Sequence, residues 1–199
     1  MAGNISLKLI KDLREKSGVG IVDCKKALEE SNGNVEKALN ILRTSGILKA
    51  GKKIGRDTRE GVISSYIHQN NKLGSLVEID CETDFVAKTD VFKDFAYNIA
   101  IQVVGMNPLY ISRDEVPEDI IKEEEELILN DIDVKNKPQE IKKNICKGKI
   151  DKFYSEICLL DQVYYKDTSF TIMDLVNDII SKVGENVRIR RFIRFEIDK

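Results

Sequence analysis

The chain has 199 residues, of which 42% are apolar and 33% charged, and its net charge is −2. That length holds one large domain or two small ones around a sizeable core, and the balance suits a globular protein with a busy surface. A near-neutral charge gives no general attraction to nucleic acid or to a membrane surface, and neither is expected as a partner. The four cysteines, Cys24, Cys81, Cys146 and Cys158, are scattered without a C-x-x-C pair, and there is a single histidine. They cannot build a familiar zinc site, so no metal is expected, and they read as reduced cytosolic thiols. No apolar run approaches the roughly 20 residues that span a bilayer. The opening "MAGNISLKLIKDLREKSG" mixes acidic with basic groups and suits neither a signal nor a transit peptide. A cytoplasmic protein is expected.

Residues 5 to 46 read as three short helices. Ile5, Leu9 and Leu13, with Ile10 beside them, form the first apolar stripe, which breaks at Ser17-Gly18-Val19-Gly20. A second helix from about Val22 to Ser31 turns Cys24, Ala27 and Leu28 inward and ends at "SNGN". Asn34 is placed to cap the third, whose stripe is Val35, Ala38, Leu39 and Leu42, with Gly46 where a C-cap glycine belongs. Residues 1–46 are therefore expected as one small module. The next stretch, "ILKAGKKIGRDTRE" at 47–60, reads as a basic, partly helical linker with no aromatic to stack on bases.

From Gly61 the period changes to two. "GVISSYIHQ" and "LGSLVEIDC", separated by Asn70-Asn71-Lys72, predict a β-hairpin. Thr89 to Val104 predicts an amphipathic helix through Phe92, Phe95, Ile99 and Val103, ended by Asn107-Pro108. The middle of the chain sets an acidic block, with Glu123 to Glu126, against a lysine-rich one beyond Pro138, which predicts a helical hairpin whose arms attract. "TIMDLVNDIISKVG" predicts a further helix with Ile172, Leu175, Val176, Ile179 and Ile180 inward. The last run places Val187, Ile189, Arg191, Ile193, Phe195 and Ile197 on one face of a third strand. The expected fold class is α+β. A three-helix module is followed by a core at 61–199, with a three-stranded antiparallel sheet, packed helices and a helical arm at about 118–158.

Chemistry is harder to find. There is no phosphate-cradling G-x-x-x-x-G-K-[ST] or G-x-G-x-x-G, and the glycines of "SGVGIVD" follow no strand. His68 and Cys81 lack an orienting third group, so a nucleophilic dyad is unsupported, and no cofactor is expected. The positive features are surfaces, which is the anatomy of a binding protein rather than an enzyme. One of them is odd. "DCETDFVAK" sets a large aromatic, Phe85, at the turn from strand to helix, where it either folds back into the core or meets another protein.

Taken in order, these segments resemble a known family. "LIKDLREKSGVGIVDCKKALEESNGNVEKALNILRTSG", "EGVISSYIHQNNKLGSLVEIDCETDFVAK", "KFYSEICLLDQVYYKD" and "RIRRFIRFE" are similar to bacterial elongation factor Ts from about Ser6 to Glu196. The resemblance implies a ubiquitin-associated-like N-terminal module and guanine-nucleotide exchange on a GTPase partner, elongation factor Tu. It implies that Thr83, Asp84, Phe85 and Val86 help to dislodge that partner's magnesium ion. It implies that Ile21 and Val22 contact the GTPase, branched aliphatics standing where "GAGMMDCKKAL" is more usual. The likeness is to the short form of the family, which implies a homodimer, with the arm at 118–158 as its pairing surface. A competing reading is a ubiquitin-associated-type adaptor that binds a small protein through Ile21 and Val22 without exchange activity. It explains residues 5 to 46 and leaves the remainder idle.

Overall fold

The computed structural model describes residues 6–17, 19–53, 55–135 and 137–197, apart from the side chains of 47–49 and 132–133. Ile5 and Gly18, expected in the first stripe and its terminating turn, lie outside the described residues. The fold is α+β, with the N-terminal helices preceding the sheet as expected.

Helices α1 (Leu7–Ser17), α2 (Ile21–Glu30) and α3 (Val35–Gly51) enclose a cluster of Ile10, Leu13, Cys24, Leu28, Ala38 and Leu42. Local signals end and start these helices as the sequence predicts. After α2, Gly33 N–H donates to Leu28 O at 2.8 Å and Asn32 N–H to Glu29 O at 3.2 Å, with Asn32 left-handed at φ 53°. That pair of bonds closes the orphan carbonyls of the helix end. Asn34 Oδ1 then accepts from Lys37 N at 2.9 Å and caps α3. The Gly46 cap is a correction. α3 runs through Gly46 to Gly51, and a Cβ at Gly46 would lie 3.5 Å from Ser181 Oγ. The glycine therefore lies inside the helix rather than at its end, in ordinary contact range of Ser181, and the linker stretch is helical as far as Gly51. Arg43 adds an ion pair to Asp174 at 2.8 Å.

Strands β1 (Glu60–Ile67) and β2 (Leu73–Cys81) form the expected hairpin, closed by His68 N–H to Leu73 O at 2.8 Å and by left-handed Asn71. At the far end Gly61 lies so close to β2 that a Cβ would approach Asp80 Cα to 2.9 Å. A four-residue helix α4 (Asp84–Ala87) and the long α5 (Asp90–Met106) follow, with Phe92, Phe95, Ile99 and Val103 buried. Thr89 caps α5, its Oγ1 accepting from Phe92 N at 3.3 Å.

The arm consists of α6 (Glu118–Asn130), α7 (Ile132–Lys135) and α8 (Gln139–Ile157). Its base is apolar, with Val116, Ile157 and Cys158 packed by Ile120, Ile121 and Phe153. Lys149 reaches Asp131 across the arm at 2.6 Å. Arg113 anchors the root through Asp151 at 2.8 Å and Asp161 at 2.7 Å, with its own guanidinium stacked 4.6 Å from the Tyr154 ring. A small hairpin, β3 (Val163–Tyr164) and β4 (Asp167–Thr171), then leads to α9 (Ile172–Val183) and β5 (Val187–Glu196).

The larger sheet has the order β1-β2-β5. Ile197 N–H bonds Lys72 O at 2.9 Å while Arg188 pairs with Asp80, so β5 runs antiparallel to β2. Its expected single apolar face is the second correction. Val187 and Ile189 are buried, Arg190 and Arg191 are both exposed, and from there Ile193, Phe195 and Ile197 are exposed. The alternation slips by one residue, as at a bulge. Beyond the slip Arg194 Nε donates to Val104 O of α5, so its neighbours Ile193 and Phe195 face the other way.

Contacts divide the chain into two compact units. One holds residues up to Ile63 with Glu78–Ala96 and Asp174–Arg190, and the other holds Ser64–Val77, Tyr97–Met173 and the residues from Arg191 onward. Among the described residues no helix is long and apolar enough to cross a membrane.

Candidate functional site

The turn from β2 into α5 holds Thr83, Asp84, Phe85 and Val86 together, as consecutive residues must be, but treats them differently. Thr83 continues the extended backbone at φ −131° and ψ 155° and is the N-cap of α4. Val86 and Ala87 are buried, while Phe85 is 80% exposed. A short helix turning its second residue outward and its third and fourth inward gives that split. Burial of the last two anchors the first two. Asp84 lies on the surface and pairs with Lys88 at 2.5 Å. The Lys88 hydrogen bond holds the Asp84 carboxyl below its ordinary range, and Asp84 in turn raises Lys88.

Thr83 has every polar group engaged. Its N–H donates to Glu185 Oε2 at 3.0 Å and its hydroxyl to Glu185 Oε1 at 2.6 Å, and its carbonyl accepts from the Cys81 thiol at 3.2 Å. Burial, with the Glu185 charge second, pushes that thiol up to about 11. Cys81 therefore stays protonated at neutral pH and is a donor, not a nucleophile. His68, the other half of the imagined dyad, contacts the Tyr66 hydroxyl at 3.2 Å instead.

Ile21 and Val22 open α2 behind Gly20, and both are exposed, at 53% and 67%. Their helix buries Cys24, Ala27 and Leu28, so the pair projects on a face its own module does not use. The sequence pattern did not find a third apolar surface. Ser75 Oγ donates to Ala100 O of α5 at 2.8 Å, so Leu76, the next residue, faces away from that helix. Leu76 shares its exposure with Ile67 of β1 and with Ile193, Phe195 and Ile197 on and just past β5. No spacing in the sequence gives this face away, because the strand changes phase at Arg190-Arg191 while its alternate apolar positions stay in step.

The chain is similar in sequence to a well-populated family. The family model for elongation factor Ts matches residues 24–198. Over 193 residues the chain is 51% identical to elongation factor Ts of Thermotoga maritima, covering 97% of this chain and 96% of that one. It is 49% identical over 192 residues to the Thermoanaerobacter pseudethanolicus protein of that name, covering 96% and 94%. The Syntrophomonas wolfei protein of that name is 46% identical over 193 residues, covering 97% and 90%. Matched nearly from end to end, the chain belongs to the elongation factor Ts family.

Proposed function

We propose that this chain is a guanine-nucleotide exchange factor for elongation factor Tu, promoting GDP release and holding the nucleotide-free GTPase. The coarser role, a translation elongation factor, follows from the family. The observation that carries the finer reading is Phe85, a large aromatic 80% exposed on a turn whose neighbours are buried or hydrogen-bonded. A wedge needs a free tip on a held base. Magnesium demands near-ideal octahedral oxygen geometry, so a side chain that displaces its ligands slightly weakens the nucleotide's hold. Thr83, Asp84 and Val86 set the base of that wedge. No covalent chemistry of the chain's own is involved.

Magnitudes show that the wedge does not act alone. Speeding release by about 10³- to 10⁵-fold needs about 4 to 7 kcal/mol of preference for the opened state. Burying one phenylalanine contributes about 1.5 to 3 kcal/mol. The remainder must come from other contacts that favour the released state. The deciding measurement is GDP release from purified elongation factor Tu with and without this chain. An unchanged rate overturns the reading.

Ile21 and Val22 are proposed to hold the GTPase rather than to open it. Because α3 continues past residue 46, truncation there cuts a helix, and point changes are the cleaner probe. Ile21→Asp with Val22→Asp is expected to raise the half-saturating concentration about 30- to 150-fold, from about 2 to 3 kcal/mol of lost burial. The saturating rate should hold. A collapsed saturating rate at unchanged affinity would reverse the assignment, and binding without any exchange would favour the adaptor.

A homodimer is part of the same proposal. The arm offers exposed Leu127, Leu129 and Ile141, and the sheet face offers Ile67, Leu76, Ile193, Phe195 and Ile197. Light scattering is expected to report about twice the 22.6 kDa chain mass. Phe195→Asp producing monomers while Leu127→Asp does not would assign pairing to the sheet, and the converse to the arm. A monomer that exchanges fully would remove the dimer.

A further inference from the structure

Helix α4 cannot hold its own shape. Four residues give it two weak backbone closures, Ala87 N–H to Thr83 O at 3.3 Å and Lys88 N–H to Asp84 O at 3.1 Å. A helix that short lies below the length at which propagation offsets nucleation. The orientation of Phe85 must therefore be set by what holds the residues on either side. On one side Val86 and Ala87 are buried and Val86 O accepts from Thr89 Oγ1 at 2.8 Å. On the other is Thr83, and its principal holder is a residue far along the chain.

We propose that Glu185 is a positioning residue for exchange, fixing Thr83 by a two-point carboxylate clamp and so aiming Phe85 at the GTPase. The inference rests on the exchange reading and deepens it. One oxygen takes the Thr83 N–H at 3.0 Å and the other the Thr83 hydroxyl at 2.6 Å. A charged acceptor makes both bonds stronger than neutral ones, and two points fix direction as well as distance. The clamp is itself braced. Gly184 is left-handed at φ 79°, which turns the chain out of α9 and presents Glu185. Asn186, buried, donates its N–H back to Glu82 Oε1 at 2.6 Å and its side-chain amide to Arg56 O at 2.9 Å. Arg56 approaches Glu82 at 3.6 Å. Residues 82–83 and 185–186 thus each hold the other's backbone, a reciprocal arrangement that resists shear in either direction.

A held turn binds with less ordering loss than a loose one, so the clamp acts on the opened state. Its removal should lower the saturating rate of stimulated release about tenfold, the scale of a charged hydrogen-bond pair, with the half-saturating concentration little changed. Glu185→Ala loses both contacts. Glu185→Gln keeps both, its carbonyl accepting the Thr83 N–H and its NH₂ donating to the Thr83 hydroxyl oxygen.

The test has two arms. In the free chain, amide hydrogen exchange at Thr83 should be slow in the unmodified protein and in Glu185→Gln, and fast in Glu185→Ala. In stimulated GDP release, Glu185→Ala should lose about tenfold alone and nothing further in a Phe85→Ala background, since there is no wedge left to aim. Glu185→Gln should restore the rate. Equal protection of Thr83 in all three proteins overturns the clamp, and so do additive losses in the double variant. A Glu185→Ala chain that melts early is replaced by Thr83→Val, which removes the hydroxyl contact and should show the same dependence on Phe85. If the unmodified chain fails to speed release, the exchange reading falls, while Thr83 protection still decides whether Glu185 holds the turn.

Discussion

Phe85→Ala is expected to slow stimulated GDP release about 10- to 150-fold while leaving the melting temperature almost unchanged. On the proposed exchange reading, the rate figure is the loss of about 1.5 to 3 kcal/mol of burial gained only against the opened GTPase. The stability figure follows from 80% exposure, since surface truncations away from caps and core usually stay within about 0.5 kcal/mol. Phe92, the same residue type on the first turn of α5, supplies the contrast. It is fully buried at 0% exposure, and Phe92→Ala should cost about 3 to 5 kcal/mol of stability. Measured side by side, one phenylalanine should move the melt and the other the release rate. A large loss of melting temperature in Phe85→Ala would return it to the core, and an unchanged release rate in magnesium would remove the wedge. Magnesium adds a sharper arm. With the ion chelated, part of the work the wedge performs is already done, so the deficit of Phe85→Ala should shrink. Asp84→Ala should weaken exchange more modestly, since its carboxylate orders the surface of the turn through Lys88.

The exposed turn of the candidate site was visible in the sequence because its cause is local. A period of two gives way to a period near four across Cys81 to Asp90, and an aromatic set among polar residues falls at the join. The N-terminal helices were legible for the same reason, since the SNGN turn and the Asn34 cap act within a few residues. What holds the site was not legible. Glu185 lies 102 residues from Thr83, and nothing in "KVGENV" says which amide it will accept from. The phase slip in β5 was hidden too, because Arg191 keeps the spacing that Val187 and Ile189 begin and Ile193 to Ile197 continue. One extra residue reverses the side a strand shows, and only its neighbours reveal it. At Gly46 a cap signal was present, but α3 continues to Gly51 and buries Ala50 beyond it. Tertiary packing prevails over a glycine's local preference there.

Gln102→Leu is expected to destabilise the chain by about 3 to 5 kcal/mol although leucine fills nearly the same space. Glutamine is ordinarily a surface residue, yet Gln102 and Gln162 are 0% and 1% exposed. Gln102 Nε2 donates to Gln162 Oε1 at 3.2 Å and to Val163 O at 3.0 Å, while its Oε1 accepts from Tyr165 N at 3.0 Å. Gln162 Nε2 in turn donates to Met106 O at 3.2 Å and Glu156 O at 3.0 Å. The two amides thus stitch the middle and end of α5 to the foot of α8 and to the β3–β4 hairpin. Leucine at 102 leaves the buried Gln162 Oε1 without its donor, at a cost of about 1 to 3 kcal/mol, and strips partners from the less buried Val163 O and Tyr165 N, which cost less each. Leucine at 162 as well should not rescue the loss, because the carbonyls of Met106 and Glu156 then lose their donor too. Gln102→Glu gives the electrostatic version. Protonated, its carboxyl donates toward Gln162 and still accepts from Tyr165. Ionised, it is a buried charge without a counter-ion, so its folded pKa lies above the unfolded value of about 4.3. A proton bound more tightly in the folded state means stability that is full below that unfolded value and falls as the pH rises from there to the folded pKa. Relative to the unmodified chain, Gln102→Glu should therefore melt nearest to normal around pH 4 and progressively lower toward pH 7. A melt of Gln102→Glu that tracks the unmodified chain across that range would mean the amide pair is not sealed from water.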